Sequence, residues 1–256
     1  MVEKNLAESR NLAQRLIMAG EVWVNGTVAI KPSETYLDTV EIWLKQAPPF
    51  LSRGGEKLEA ALNAFELTEL DGTTCVDVGA STGGFTDCLL QHSAARVYAL
   101  DVGYGQLHWK LRNDERVVVM EKTNIRDVKN LPEKADIVVV DVSFISLKMI
   151  FPILKRLMRE ESSDLVALIK PQFEAGREEA ARGKGVIRDS EVHKAVLVSV
   201  LDAASREGLY ARGLIISPIK GPKGNIEFLV HFRCDPGEYF PDALIANVFR
   251  VHQLDE

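Results

Sequence analysis

The spacing of apolar positions changes several times along this chain. Leu12, Leu16 and Ile17 share one face of a helix predicted over 9–18, with Ser9 placed to cap its start and Gly20 its end. Val22 to Val24, the pair Asn25-Gly26, and Thr27 to Ile30 predict a tight hairpin, because Asn-Gly accepts the positive φ angles such turns need. Val40 to Leu44 reads as one more short strand. Pro48-Pro49 stiffens the segment after it. The organisation expected is a small module at 1–44, a linker at 45–52 and a larger domain at 53–256.

Beyond Arg53 helix and strand periods alternate. Leu58, Ala61, Leu62 and Phe65 predict a helix over 56–66. Apolar or β-branched runs at 73–78, 96–100, 117–120, 136–140 and 164–169 predict strands. Between them lie helix-compatible segments at 84–91, 105–112 and 146–159. This alternation predicts a parallel sheet with helices on both faces. A long helix over about 189–207 precedes strand-like runs at 209–217 and 226–232. These suggest an antiparallel pair at one sheet edge.

Composition narrows the class. A chain of 256 residues has room for one medium and one small domain and a sizeable core. No apolar run approaches the ~20 residues that span a bilayer, so no membrane insertion is expected. Cys75, Cys88 and Cys234 are widely spaced and form no CxxC pair, which disfavours a disulfide framework or a zinc site and favours a reducing cytoplasm. The five histidines are scattered and read as structural; no metal is expected. The net charge of −6 excludes a general polycation, but not a local nucleic-acid patch.

Candidate chemistry gathers at the strand ends. The strand through Val78 runs into Gly79-Ala80-Ser81-Thr82-Gly83-Gly84 and then a helix, a turn in which glycines admit a ligand close to the backbone. The next strand ends at Asp101, whose carboxylate can accept ribose hydroxyls. The loop lacks both the P-loop lysine and GxGxxG spacing, so a nucleoside without a long phosphate chain fits best, S-adenosylmethionine foremost. Asn124 either touches the adenine edge or opens the next turn. Asp141 and Lys170 end neighbouring apolar runs; each has an ordinary reading, as helix cap or solvated charge. Lys57 and Glu227 each follow a glycine-rich turn, and a glutamate beside Phe228-Leu229-Val230 needs a partner if buried.

Taken together, these stretches resemble the haemolysin A-type (TlyA) family, in which a small S4-like RNA-binding domain precedes an FtsJ-like ribose methyltransferase domain. The resemblance is carried by Glu8-Ser9-Arg10, Ala13 to Gly20, Val24-Asn25-Gly26, Ser52 to Leu58, Asp77 to Asp87, Asp101 to Leu107, Asp141 to Ser146, Ile169 to Glu174 and Gly221 to Glu227. It implies a Rossmann-like α/β methyltransferase sheet and a Lys-Asp-Lys-Glu tetrad at Lys57, Asp141, Lys170 and Glu227. It also implies a cofactor site at Gly79, Ser81, Gly83 and Asp101, with Asn124 near the adenine. S4-like modules usually carry a helix before the one at 9–18, so a shortened module is expected. On this reading Lys170 orients and helps deprotonate a ribose 2′-hydroxyl, Lys57 tunes it, and the two carboxylates hold the amines.

The implied partner is ribosomal RNA or a ribosomal subunit. Residues 1–60 hold seven basic and eight acidic residues, so docking there would rest on Arg10 and Arg15, read as near one helical face, rather than on bulk charge. Arg53 borders the candidate site. Residues 170–225 hold ten basic and seven acidic residues, and Arg177, Arg182, Lys184 and Arg188 could line an entrance for RNA or form a solvated loop. Competing readings are a small-molecule methyltransferase, a membrane-active haemolysin and a non-catalytic ribosome-binding protein.

Overall fold

Ser9 starts the first helix: its side chain accepts a hydrogen bond from the Leu12 amide at 3.2 Å, and α1 runs over Arg10–Met18. The computed structural model describes residues 1–252 apart from 5, 8, 38, 45–48, 160–162, 177, 178, 180 and 181. The chain divides into two compact units, Met1–Pro49 and Phe50–Glu256.

In the first unit β1 (Val22–Val24) and β2 (Thr27–Val28) form the expected hairpin, with Asn25 at φ 47° and Gly26 at φ 80°. The second strand stops two residues early. β3 (Ile42–Leu44) pairs antiparallel with β1 and gives the order β2-β1-β3. The Trp23 and Trp43 rings stack across that pair with centroids 4.9 Å apart. Val22, Val24 and Ala29 form the unit's small core.

The second unit starts earlier than the expected domain boundary. Of the expected linker, residues 45–48 lie outside the described residues, and Phe50 is buried against Leu58 and its neighbours in a core of this unit. The helix α2 (Gly54–Ala64) is next. Then come β4 (Thr74–Val78), α3 (Gly84–Gln91), β5 (Arg96–Leu100), α4 (Trp109–Arg112), β6 (Val117–Met120), β7 (Ile137–Val140), α5 (Phe151–Leu157) and β8 (Asp164–Ile169). α6 (Pro171–Glu174), α7 (Ser190–Arg206), β9 (Tyr210–Ile216), β10 (Phe228–Arg233) and α8 (Pro241–His252) complete the described elements.

Among the described residues the sheet has seven strands in the order β6-β5-β4-β7-β8-β10-β9. The first five are mutually parallel, and β10 lies antiparallel between β8 and β9. Side chains alternate across the sheet with the two-residue strand period. Val76, Val78, Val138 and Val140 face a core shared with α5, α7 and α8, while Cys75, Val97, Ile137 and Val139 face one shared with α2 and α3. The sheet is a Rossmann-like α/β layer covered on both faces.

Three segments depart from the expected helices. Only Trp109–Arg112 of the 105–112 helix forms, because Gly105 sits at φ 71° and the Gly105 and Gln106 amides donate to the Glu121 carboxylate. The 146–159 segment breaks into a 3-10 turn at Leu147–Met149 and the shorter α5, which carries Pro152 in its first turn. α8 was not anticipated, although Ile245, Val248 and Phe249 are buried at helical spacing.

Candidate active site

Chain direction collects the site. The sheet order places β4 between β5 and β7, so the chain leaves β4 toward one edge and later returns to its other side. Ligands of open α/β sheets bind at the carboxyl ends of strands beside such a reversal. Gly79, Asp101, Asp141 and Lys170 each come directly after a strand at that end. β10 runs the other way, with Phe228 opposite Ile169. Glu227, just before β10, therefore comes to the same sheet edge as Lys170. It precedes the strand rather than lying inside it.

Two ion pairs form there. Lys170 Nζ lies 2.5 Å from Asp141 Oδ1 and donates to Ser143 Oγ at 2.9 Å. Lys57 Nζ, on α2, lies 2.6 Å from Glu227 Oε2, and that glutamate is 1% exposed. Gln172 Nε2 reaches Glu227 Oε1 at 3.5 Å. Each lysine thus has its own carboxylate, and both pairs are largely withdrawn from solvent, where a charge needs such a partner.

Glycines explain how α2 reaches the site. A Cβ on Gly84 would lie 2.2 Å from Ser52 Oγ and 2.8 Å from the Gly55 nitrogen. A Cβ on Gly55 would lie 2.2 Å from the Phe50 ring. The first turns of α2 and α3 can approach this closely only without side chains, and that approach seats Lys57.

The loop after β4 is a cradle of the kind a nucleoside cofactor needs. Gly79 (φ 89°) has its missing side chain 2.3 Å from the Asp141 carbonyl oxygen, and Gly83 (φ 96°) begins α3. Ser81 also holds a positive φ of 50°, and its amide donates to Asp101 Oδ2 at 2.7 Å. Asp101 Oδ1 accepts the Gly103 amide at 2.7 Å. Each carboxylate oxygen has a second lone pair for a ribose hydroxyl. Asn124 has both roles open to it: its side-chain oxygen caps the 3-10 turn at Ile125–Asp127, and the residue lines the same cleft.

Two cavities meet in this region. One, of about 440 Å³, is lined by Leu100, Asp101, Asn124 and Phe144; the other, of about 480 Å³, by Arg53, Lys57, Lys220 and Pro222. Gly79, Ser81 and Asp141 line both. A group bound in the first can thus meet a second molecule across Asp141.

The candidate RNA contacts divide differently. Arg53 lies at the second cavity and donates to the Lys220 carbonyl at 3.4 Å. Arg182 pairs with Glu179 at 2.5 Å, and Lys184 is exposed at φ 52°. Arg177 lies outside the described residues. Arg10 and Arg15 are both exposed on α1, but residues five apart are turned by roughly 140° on a 3.6-residue helix, so they do not share the single face expected of them.

Three further residues had no role assigned from the sequence. Phe144 is 91% exposed at φ 64°, three residues past Asp141, and its ring lies 5.0 Å from that of Phe173. Ser143 bonds Lys170. Asp77 is buried in β4, and burial, reinforced by Asp141 and Asp101, pushes its carboxyl up to about 7 even though Thr86 donates to it at 2.6 Å. A strand-interior aspartate in an otherwise apolar run was its available signal.

A Rossmann-like sheet with a glycine cradle and a polar strand-end cleft defines a protein of the class that binds a nucleoside-containing cofactor at its strand ends. The chain matches the FtsJ-like methyltransferase profile over residues 50–234 and the S4 domain profile over residues 1–41. It is 49% identical over 245 residues to a Bacillus subtilis protein named as rRNA methyltransferase YqxC, covering 93% of this chain and 85% of that one. It is 42% identical over 237 residues to the 16S/23S rRNA (cytidine-2′-O)-methyltransferase TlyA of Mycobacterium tuberculosis, covering 91% and 87%. A solved Streptococcus thermophilus structure that carries the hemolysin name is 41% identical, with a TM-score of 0.75 over 98% of this chain and 94% of that one. The chain belongs to the FtsJ-like methyltransferase family. It is an enzyme, and S-adenosylmethionine is its methyl donor.

Proposed function

We propose that this enzyme methylates a ribose 2′-hydroxyl of ribosomal RNA in the cytoplasm, with Lys57, Asp141, Lys170 and Glu227 as its catalytic set. The observation that carries the reading is the pair of lysine–carboxylate contacts at one sheet edge, of which Asp141 lines both cavities and Lys57 the second. Relatives named for rRNA 2′-O-methylation support the substrate, as does the match to an S4 domain. No described helix is long and apolar enough to cross a membrane.

Gly79, Ser81, Gly83 and Asp101 hold the cofactor, with Asn124 on the adenine side. When bound, S-adenosylmethionine supplies a methyl already activated by a sulfonium. The chain must then bring a poor nucleophile into line and manage its proton. Lys170, fixed by Asp141 and Ser143, orients the hydroxyl, and takes up its proton once it has itself released one and stands as the neutral amine. Lys57, held by Glu227, stabilises the developing alkoxide. Phe144 offers a bare ring for a splayed nucleobase, the usual way single-stranded RNA is gripped. Arg53, Arg182 and Lys184 contact the RNA backbone, as do Arg10 and Arg15 from separate sides of α1.

The test is transfer of labelled methyl to ribosomal subunits and to deproteinised ribosomal RNA. Lys170→Ala is expected to abolish label while leaving S-adenosylmethionine affinity nearly intact. Robust turnover by that variant would overturn the catalytic assignment. Label in catechol-like acceptors instead of RNA would overturn the substrate.

A further inference from the structure

Away from both cavities, α2 and α3 bring together three side chains that the reaction does not use. Glu59 Oε2 lies 2.6 Å from His92 Nε2 and 3.6 Å from Cys88 Sγ. The three ligand atoms lie within 4.8 Å of one another. Cys88 and His92 are four residues apart, a spacing that puts both on one side of α3. No metal was expected from the sequence, where Glu59 stands far from the other two.

The hydrogen bonding around His92 turns its second ring nitrogen toward Glu59 and Cys88. His92 Nδ1 lies 2.9 Å from the Thr68 carbonyl oxygen, which can only accept, so Nδ1 carries a proton. Nε2 then faces a carboxylate oxygen 2.6 Å away, a contact that two bare lone pairs could not make with nothing between them. A proton can fill that position, and so can a metal ion. A ring nitrogen fixed by a backbone carbonyl while the other turns toward a carboxylate and a thiol is the arrangement that orients metal-ligating histidines.

We propose that Glu59, Cys88 and His92 form a binding site for a borderline-soft divalent cation of the zinc type. Thiolate, imidazole and carboxylate at roughly 2.0–2.3 Å are the donors such an ion takes. Around a tetrahedral ion, donor atoms stand roughly 3.2–3.8 Å apart, so the ion enters by opening the Glu59–His92 contact and drawing in the sulfur. The Glu59 side chain is 36% exposed, which leaves a path for the ion and a fourth position for water. Cys88 is fully buried, and burial together with Glu59 holds its thiol above the ordinary range. Binding must therefore release a proton and weaken as pH falls. Glu59 stands two residues past Lys57, so a bound ion would brace the helix that carries that lysine against α3.

The experiment is a titration of chelator-treated, full-length protein with Co²⁺, monitored by absorbance. One ion per chain is expected, with a thiolate-to-cobalt band in the near ultraviolet and visible bands of four-coordinate geometry, both bleached by Zn²⁺. Cys88→Ser should lose the near-ultraviolet band, and Glu59→Gln, at a half-exposed position that spares the core, should weaken Co²⁺ at least tenfold. Unchanged S-adenosylmethionine binding would verify that each variant folds. Absence of a thiolate band at stoichiometric Co²⁺, or a band that survives Cys88→Ser, would overturn the site.

Discussion

Asp77 and Phe144 show what single residues cost and contribute. A carboxyl raised from 3.8 to about 7 on folding binds more protons in the native state than in the unfolded chain between those values. Native stability therefore falls as pH rises through that window, by up to about 4 kcal/mol once the group is ionised. Asp77→Asn removes the penalty, so its melting temperature should exceed wild type at pH 8 and the advantage should vanish near pH 4; a parallel pH dependence in both proteins would contradict this. Phe144 holds a left-handed backbone that costs about 1–3 kcal/mol for a residue other than glycine, and it buries almost nothing in return. Base stacking on an aromatic ring is worth about 1–3 kcal/mol. Phe144→Ala should therefore lower kcat/KM for RNA by about tenfold or more, a larger loss than any change in S-adenosylmethionine affinity measured by calorimetric titration, since the ring also lines the cofactor cavity.

Among the elements, the strands were the easiest to read. β7 and all but the first residue of β5 and β8 are runs of buried apolar side chains, and β4 is one apart from Thr74 and Asp77. The strand-end residues Asp101, Asp141 and Lys170 could be picked out for the same reason. Segments whose backbone bonds go to distant side chains were not readable. Glu121 takes the amides that would have extended α4, and Glu174 takes the Leu147 amide at the start of the expected 146–159 helix. The Glu59–Cys88–His92 cluster was invisible because only the packing of α2 on α3 assembles it. That packing depends on the glycine contact at their first turns. Gly84→Ala should push α2 outward, since its Cβ would meet backbone as well as Ser52. Transfer should fall more than tenfold, and addition of excess S-adenosylmethionine should not restore it.

For the molecule as a whole, the first unit's small core shares no residue with the two cores of the second, which makes the units separable. A fragment of residues 50–256 should fold and bind S-adenosylmethionine with the affinity of the full chain, while its KM for ribosomal subunits rises at least tenfold; an unchanged KM would remove the first unit from substrate capture. The position of β10 also has a consequence for how the enzyme is made. Lys57 meets a partner 170 residues further along the chain. The parallel strands that cradle the cofactor precede it in synthesis, and a pairing so distant in sequence closes late because its loop entropy must be met first. A nascent chain can thus complete its nucleoside cradle well before its second lysine acquires its carboxylate. If Lys57 and Glu227 act in transfer as proposed, competence is reached only once β10 has docked against β8, near the end of translation.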